Sequence, residues 1–202
     1  MNQFLVWLNN DDTLGAVQKA TISHLYFVLI HPFDDGNGRI ARAITDYVLA
    51  QASLANAKFY SISTTIYQKR KEYYEVLDKV CVSTTQDITP WMKWFIKLLE
   101  DSIDSTLLEI ESVQIKAKFW DRHRETKLNE RQKKVIFKML SYLPTEFEGG
   151  MRVQKYMGIT KATRLTASRD LSDLQLKGLM QSHGKGRGVY YSLVLSEHLV
   201  EG

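Results

Sequence analysis

The chain has 202 residues, of which 44% are hydrophobic, and a formal net charge of +4, which is enough for one substantial core and a small second domain. The single cysteine, Cys81, excludes an internal disulfide, and the five scattered histidines offer no spacing that assembles a zinc site. No apolar run approaches the ~20 residues that span a membrane, and Met1 begins no signal-peptide pattern, so we expect a cytoplasmic protein without a membrane partner.

A buried helix is predicted between about residues 14 and 30. Apolar residues recur there at roughly helical spacing, at Leu14, Val17, Ile22, Leu25, Val28 and Leu29. The helix would lead directly into His31. His24 lies two turns earlier on it, and we interpret His24 as a core or helix-packing residue rather than a catalytic one.

The segment that follows, residues 31–42, reads His-Pro-Phe-Asp-Asp-Gly-Asn-Gly-Arg-Ile-Ala-Arg. Gly36 and Gly38 allow positive φ and close approach to a ligand, so that backbone N–H groups around Asn37 can converge on phosphate oxygens. A helix is predicted after Gly38 from apolar residues at Ile40, Ile44, Val48 and Leu49. The loop therefore precedes a helix N-terminus, which favours an anion.

The charged residues of the same segment complement a polyphosphate. Arg39 and Arg42 carry planar guanidinium groups suited to anionic oxygens. Asp35 can hold a hard cation such as Mg2+, whose usual site combines one or two carboxylates with substrate phosphates. The segment thus predicts a site for a polyphosphate and its metal ion.

Residues 31–42 resemble the signature of the Fic family, His-Pro-Phe-x-(Asp/Glu)-Gly-Asn-Gly-Arg-x-x-Arg, at every defined position. Members of the family transfer AMP from ATP to a Ser, Thr or Tyr hydroxyl of a protein. The resemblance implies a Mg2+-dependent protein adenylyltransferase whose substrates are ATP and an unknown target protein, with self-modification as one possibility.

The resemblance also implies individual roles at this loop. His31 would be the base that deprotonates the target hydroxyl, and Asp35 would hold Mg2+. Phe33 belongs to the same nucleotide-binding loop; because it has no polar chemistry, we expect it to be the apolar plug that buries the loop.

The remaining residues of the signature would contact the nucleotide phosphates. Asn37, with the backbone from Gly36 to Gly38, would cradle the α and β phosphates. Arg39 would contact the β phosphate. Arg42 would contact either the γ phosphate or, in a resting enzyme, an inhibitory glutamate.

A further helix is predicted to start at Ser61 or Ser63 as N-cap and to run through Tyr67, Arg70, Tyr73, Tyr74 and Leu77. The Tyr73–Tyr74 pair resembles one that lines the adenosine side of the pocket in the Fic family. Aromatic residues at helical spacing are also typical of a hydrophobic core, so a role at the adenosine and a role in the core both stay open.

A long helix is predicted from Thr89, with Pro90 in its first turn. One continuous buried stripe is predicted at steps of three and four residues: Trp91, Trp94, Phe95, Leu98, Leu99, Ser102, Ile103, Thr106, Leu107, Ile110, Val113, Ala117 and Trp120. We expect a catalytic core at 1–110, a connecting helix at 111–127 that ends in a charged stretch, and a second domain at 128–202.

The second domain is predicted to contain three helices and a hairpin. Asn129 and Gln132 form a capping-box-like start to the first helix, and a short second helix is expected from Val153 to Met157. Thr160 is expected to cap a third helix that points Leu165, Leu171 and Leu174 inward and ends at Gly178. Residues 179–193 alternate about a glycine-rich basic tip, typical of a β-hairpin.

This order resembles a winged helix-turn-helix domain. The predicted fold is therefore mainly α, a Fic-type helical bundle followed by a small α+β winged helix domain. Residues 151–190 carry eight basic and two acidic residues, a net charge of +6. Five of the basic residues are candidate DNA contacts, at the major groove or at phosphates: Lys161, Arg164, Arg169, Lys185 and Arg187. The alternative is a module that mediates only protein contacts or dimerisation, in which case the protein could form a homodimer.

Two features of the Fic family have no counterpart here. Only about thirty residues precede His31, where the family has a target-docking flap, and the inhibitory motif (Ser/Thr)-x-x-x-Glu-(Gly/Asn) occurs nowhere in the sequence. The chain would be a fragment or a naturally short form. The opposing functional hypothesis is an inactive or truncated Fic protein that acts as a regulator, binding DNA or protein through its winged helix.

Overall fold

The structure, a computed structural model, describes residues 1–52, 60–84 and 87–195, without the side chains of Ala52 and Arg187. Within these ranges nine α-helices and one two-stranded antiparallel sheet are present, which confirms a mainly α fold. The chain divides into two compact units, Met1–Leu107 and Leu108–Gly202. None of the described helices combines the length and apolarity needed to cross a membrane.

The first unit contains five helices and the beginning of a sixth. These are α1 (Asn2–Asn10), α2 (Ala16–Ile30), α3 (Asn37–Ala52), α4 (Ile62–Gln68), α5 (Arg70–Cys81) and α6 (Thr89–Arg122). The predicted helix before His31 is confirmed as α2, although Val17 and Leu29 are exposed rather than buried. Ser61 is the N-cap of α4, where its hydroxyl accepts a hydrogen bond from the Thr64 N–H.

The single helix predicted to follow Ser61 is wrong, because α4 and α5 are separate helices. The backbone at Lys69 has φ −103° and ψ 27°, outside the helical range, and interrupts the helical run. The Lys69 ammonium group pairs with the carboxylate of Asp101 on α6.

Helix α2 lies between two hydrophobic clusters and organises the first unit. Leu25 belongs to a cluster that includes Ile62 of α4 and Trp91 of α6. Ala20 and Phe27 belong to a second cluster with residues of α1 and α3. Because α2 is covered on more than one side, the helix that leads into His31 is anchored by the core of this unit.

The predicted continuous stripe on α6 is only partly correct. Trp91, Phe95, Leu98 and Leu99 are buried at its start, and Phe119 is buried near its end. The middle of the stripe is exposed, at Ile103, Leu107, Ile110 and Val113. A helix of 34 residues is about 50 Å long, and each hydrophobic cluster covers only one end of it.

The second unit contains α7 (Glu130–Leu140), α8 (Val153–Thr160), α9 (Arg164–Leu176), β1 (Met180–His183) and β2 (Tyr190–Leu193). The predicted capping box is confirmed, since Asn129 and Gln132 each bond the other's backbone N–H. The predicted hairpin is also confirmed, with Met180 opposite Leu193 and His183 opposite Tyr190. The helices and hairpin share one core, of which the fully buried members include Ile136, Tyr156, Leu171 and Leu174.

Three expectations for the helices of this unit are wrong. Helix α8 continues to Thr160, and α9 is capped by Thr163 rather than Thr160. Leu165 is 62% exposed and does not point inward. Gly178 follows the end of α9 with φ +74°, as the predicted C-terminal glycine requires.

Candidate active site

His31 is the C-cap of α2 and has a left-handed backbone conformation, with φ 46° and ψ 57°. This conformation costs a non-glycine residue about 1–2 kcal/mol and turns the chain from α2 into the loop. The Nδ1 atom of His31 lies 3.3 Å from the carbonyl oxygen of Val28. Because a carbonyl can only accept, Nδ1 carries the proton in this contact, and Nε2 is left as the basic nitrogen.

The Asn37 side chain closes the loop. It is only 4% exposed, its Oδ1 accepts from the Phe33 N–H at 3.1 Å, and its Nδ2 donates to the Phe33 carbonyl. Both polar ends of the amide are therefore used within the loop. What the loop presents to a ligand is the N-terminus of α3, whose first N–H groups have no acceptor within the helix.

The two glycines of the loop differ in their conformational demand. Gly36 has φ +88°, and a Cβ there would lie 3.3 Å from Nη2 of Arg39. Gly38 has no positive φ, so the expectation that both glycines supply one is wrong for Gly38. A Cβ on Gly38 would lie 3.6 Å from Nη1 of Arg42, an ordinary contact distance.

Phe33 is not the buried plug expected from the sequence. Half of its side chain is exposed, and its ring lies 6.3 Å from the ring of Phe27, measured between centroids. The loop is closed by the Asn37 amide instead, as the hydrogen bonds to the Phe33 backbone show.

The charged side chains of the loop meet in one polar cleft of about 280 Å³, which His31, Asp35, Arg39 and Arg42 all line. Arg39 Nη2 lies 3.1 Å from Asp35 Oδ2, and both side chains are largely exposed. An exposed pair of this kind contributes about 0.3–0.5 kcal/mol, so a ligand can separate it easily. Arg42 forms no ion pair with any residue that the structure describes.

A second, less polar cleft of about 320 Å³ shares His31, Asn37, Gly38 and Arg42 with the first. Its other walls come from α2, α4 and α5: Val28, Ser63, Ile66, Tyr67, Arg70, Tyr73, Tyr74 and Leu77. The combination offers a polar end for phosphates and an apolar, aromatic end for a nucleobase.

Three residues of this cleft were not predicted from the sequence to belong to the site: Ser63, Tyr67 and Arg70. With Tyr74 they follow one another at steps of four, three and four residues, a helical spacing, although they lie on two separate helices, α4 and α5. That spacing is the feature of the sequence from which these residues could have been predicted. The Arg70 guanidinium carbon lies 5.7 Å from the centroid of the Tyr74 ring.

Tyr73 and Tyr74 have different environments. Tyr73 is buried, its hydroxyl lies 3.2 Å from Nε2 of His24, and burial raises the pKa of Tyr73 to about 12. Tyr74 is 51% exposed along the cleft. His24 is fully buried, which confirms its interpretation as a core residue; burial, and secondarily the charge of Arg42, lowers its pKa to about 3.

The site has few groups that could bind a metal. No set of three or more His, Cys, Asp or Glu side chains suited to a metal ion occurs in the described ranges. Asp35 is an exposed carboxylate at the polar cleft. A single carboxylate fits Mg2+, which keeps several water ligands and takes others from substrate phosphates.

The predicted nucleic-acid contacts lie in the second unit, on different elements. Arg164 and Arg169 are exposed on α9, Lys161 is exposed in the turn before it, and Lys185 is exposed between β1 and β2. The side chain of Arg187, also predicted as a contact, lies outside the described part of the chain.

Comparison with known proteins connects the N-terminal segment to one family. Residues 1–49 match the Fic/DOC family. Protein adenylyltransferase Fic of Nematostella vectensis is 34% identical over 109 residues, which are 53% of this chain and 23% of that protein. Probable protein adenylyltransferase aq_aa38 of Aquifex aeolicus is 43% identical over 53 residues, 26% of this chain and 17% of that protein.

The matched part of the chain thus spans about a fifth of the length of these curated relatives. Among solved structures, a Fic family protein from Desulfovibrio desulfuricans G20 aligns with 95% of this chain and 53% of its own. That alignment has a TM-score of 0.46 and 21% sequence identity.

Proposed function

We propose that the chain is a Fic-family protein adenylyltransferase, which transfers AMP from ATP to a hydroxyl group of a protein; the match of residues 1–49 to the Fic/DOC family supports this proposal. The observation that carries the proposal is the position of His31 in the same cleft as the N-terminus of α3, Arg39 and Arg42. A base beside a polyphosphate site is what this transfer requires.

The phosphates of ATP would bind at the start of α3. The N–H groups of its first turn supply donors that no helical carbonyl uses, and Arg39 adds a charge-assisted contact to the β phosphate. Asp35 would hold Mg2+, which neutralises charge on the phosphates when it is bound. Occupation of Asp35 would release Arg39 from its present ion pair.

The adenosine would lie in the apolar cleft, against Val28, Ile66, Leu77 and Tyr74. His31 Nε2 would take the proton from the target hydroxyl, because the contact to Val28 leaves that nitrogen basic. The hydroxyl oxygen would then bond to the α phosphorus, and the bond from the α phosphorus to the oxygen bridging to the β phosphorus would break. The products are the AMP-modified protein and pyrophosphate.

Two labelled nucleotides test this proposal. Incubation with ATP labelled at the α phosphorus should label a protein band, the chain itself serving as a first acceptor, whereas ATP labelled at the γ phosphorus should not. His31→Ala should reduce the label by about 10²–10⁴-fold, the usual contribution of a general base. His183→Ala, a histidine in the second unit, is the matched control and should leave the label unchanged.

Other outcomes would contradict the proposal in distinguishable ways. Label from the γ phosphorus would indicate phosphorylation instead. Binding of ATP without any transfer to this chain or to added protein would favour the alternative, a Fic protein that regulates by binding.

A further inference from the structure

Helices α8 and α9 form a compact pair joined by residues 161–163. Lys161 has φ 61° in this turn, and Thr163 caps α9, its hydroxyl accepting from the Thr166 N–H at 3.3 Å. On the inner side of α9, Ala167, Leu171 and Leu174 are fully buried. Two packed helices with a three-residue turn have the form of a helix-turn-helix motif.

The two acidic residues of α9 both have cationic and polar partners within the unit, although the Asp173 side chain is 44% exposed. Asp170 is 7% exposed and accepts hydrogen bonds from Arg131 Nε and the Tyr156 hydroxyl, each at 2.8 Å. Asp173 accepts from Lys177 Nζ at 2.5 Å and from Gln132 Nε2 at 2.7 Å. Neither carboxylate is free to oppose a positive charge on the outer side of the helix.

The outer face of α9 consists of seven exposed residues: Arg164, Leu165, Ser168, Arg169, Ser172, Gln175 and Leu176. At 3.6 residues per turn they occupy an arc of about 140°. Neither Arg164 nor Arg169 has an ion-pair partner among the residues that the structure describes. The face therefore combines two guanidinium groups with two hydroxyls, one amide and two apolar side chains, and it carries no acid.

Two further lysines, one before and one after α9 in the sequence, have no ion-pair partner in the part of the chain that the structure describes. Lys161 is exposed in the turn before α9, and Lys185 is exposed at the tip of the hairpin. Lys155, by contrast, is occupied by the carbonyl groups of Glu148 and Gly150 and does not add to this set.

We propose that the outer face of α9 binds duplex DNA in the major groove, with Lys161 and Lys185 on backbone phosphates. The major groove is about 12 Å wide and admits a helix, and guanidinium groups, hydroxyls and apolar carbons are the groups that contact base edges there. Duplex RNA does not fit the same surface, because its major groove is too deep and narrow for side chains to read.

The proposal is tested with the full chain by fluorescence anisotropy. The probe is a labelled random-sequence DNA duplex of about 24 base pairs, titrated at about 50, 100 and 200 mM NaCl. On random-sequence DNA, where binding is electrostatic, both lysines and both arginines can neutralise phosphates, which predicts a slope of log K against log[NaCl] of about −3.6, at about 0.9 per phosphate. Arg164→Gln with Arg169→Gln should weaken binding at least about tenfold and reduce the slope by about two.

The matched control removes the same charge from another helix of the unit. Lys134 and Lys138 are exposed on α7, and Lys134→Gln with Lys138→Gln should leave affinity and slope unchanged. Both double variants should keep the label transfer from ATP and the circular dichroism spectrum of the parent. An equal loss in the control would mean a diffuse charge effect and would overturn the proposal.

Three further results would also overturn it. The first is no binding of duplex DNA at about 50 mM NaCl, the condition of the titration at which non-specific electrostatic binding is strongest. The second is tighter binding of duplex or single-stranded RNA of the same length. The third is dimerisation of the chain through α9, if the Arg164 and Arg169 substitutions abolish it. Failure of DNA binding with intact label transfer would leave the adenylyltransferase proposal standing.

Discussion

The Tyr73 hydroxyl on α5 lies 3.2 Å from Nε2 of His24 on α2, and both residues are buried. On the other side of the ring, His24 Nδ1 lies 3.0 Å from Oγ1 of Thr45, whose hydroxyl donates to the Ala41 carbonyl. Since the Thr45 hydroxyl proton is engaged in the bond to Ala41, Thr45 Oγ1 can only accept from His24. Nδ1 of His24 is therefore the donor, and Nε2 accepts from Tyr73. This chain of hydrogen bonds joins α2, α3 and α5, the helices that carry the polar loop and one wall of the apolar cleft.

The buried His24 predicts a pH-dependent stability. Its pKa is lowered in the folded state to about 3, mainly by burial, whereas an unfolded histidine has a pKa of about 6.5. Between these values the unfolded chain binds a proton that the folded chain does not. The stabilisation is therefore complete above about pH 6.5, and the free energy of unfolding should fall below it by up to about 1.4 kcal/mol per pH unit.

Urea unfolding of the parent and of His24→Gln between about pH 4 and 7 checks this prediction. The substitution should flatten the pH dependence in that interval. His123, whose pKa is also lowered by burial, contributes equally to both proteins, so their difference isolates His24. Parallel pH profiles would contradict the assignment.

The two adjacent tyrosines should respond oppositely to substitution. Tyr73→Phe removes the partner of the buried His24 Nε2 and should cost about 1–3 kcal/mol of stability with little change in ATP affinity. Tyr74→Ala removes a half-exposed wall of the cleft, so it should weaken ATP binding and change stability by less than about 0.5 kcal/mol. Urea unfolding and calorimetric titration with ATP measure the two effects, and an exchange of the two phenotypes would reject this division of roles.

The ion pair between Asp35 and Arg39 predicts that Asp35→Ala changes the affinity for ATP in opposite directions with and without Mg2+. Without the metal, Asp35→Ala removes a negative charge from the phosphate site and frees Arg39, so ATP should bind more tightly than to the parent. With Mg2+ present, the same variant lacks the carboxylate that would hold the metal, so ATP should bind more weakly.

Arg39→Ala should weaken ATP binding in both conditions, by about 10- to 150-fold, the equivalent of the ~1.5–3 kcal/mol of a charge-assisted bond. Arg122→Ala, an exposed arginine at the end of α6, is the control and should bind ATP as the parent does. Isothermal titration calorimetry with ATP, with and without Mg2+, distinguishes these cases. A weaker affinity of Asp35→Ala without Mg2+ would exclude the competition between the two side chains.

The sequence predicted several elements that depend on local chemistry. The capping box at Asn129, the N-cap at Ser61 and the glycine after α9 were all identified because each rests on hydrogen bonds or φ values within a few residues. His31, Asp35, Arg39 and Arg42 meet in one cleft for the same reason, since a loop and one helical turn place them together.

Some errors are local, such as the helix break at Lys69 and the cap of α9 at Thr163 rather than Thr160. The others concern burial, which depends on distant neighbours. Phe33 was expected to be buried because it is apolar, but apolar residues are not always inside, and the Asn37 amide closes the loop instead. Leu165 was grouped with Leu171, although six residues on a helix correspond to about 240° and place the two on different faces. Helical spacing alone also could not show where the cores that cover α6 end.

Helix α6 therefore supplies a direct comparison of two positions on one predicted stripe. Leu98 is 1% exposed in the core of the first unit, whereas Val113 is 62% exposed. Leu98→Ala should lower the free energy of unfolding by about 2–5 kcal/mol, because it leaves a cavity. Val113→Ala should change it by less than about 0.5 kcal/mol, because it removes few contacts and alanine favours the helix. Urea unfolding followed by circular dichroism gives both values, and an equal cost at the two positions would mean that the stripe is buried along its whole length after all.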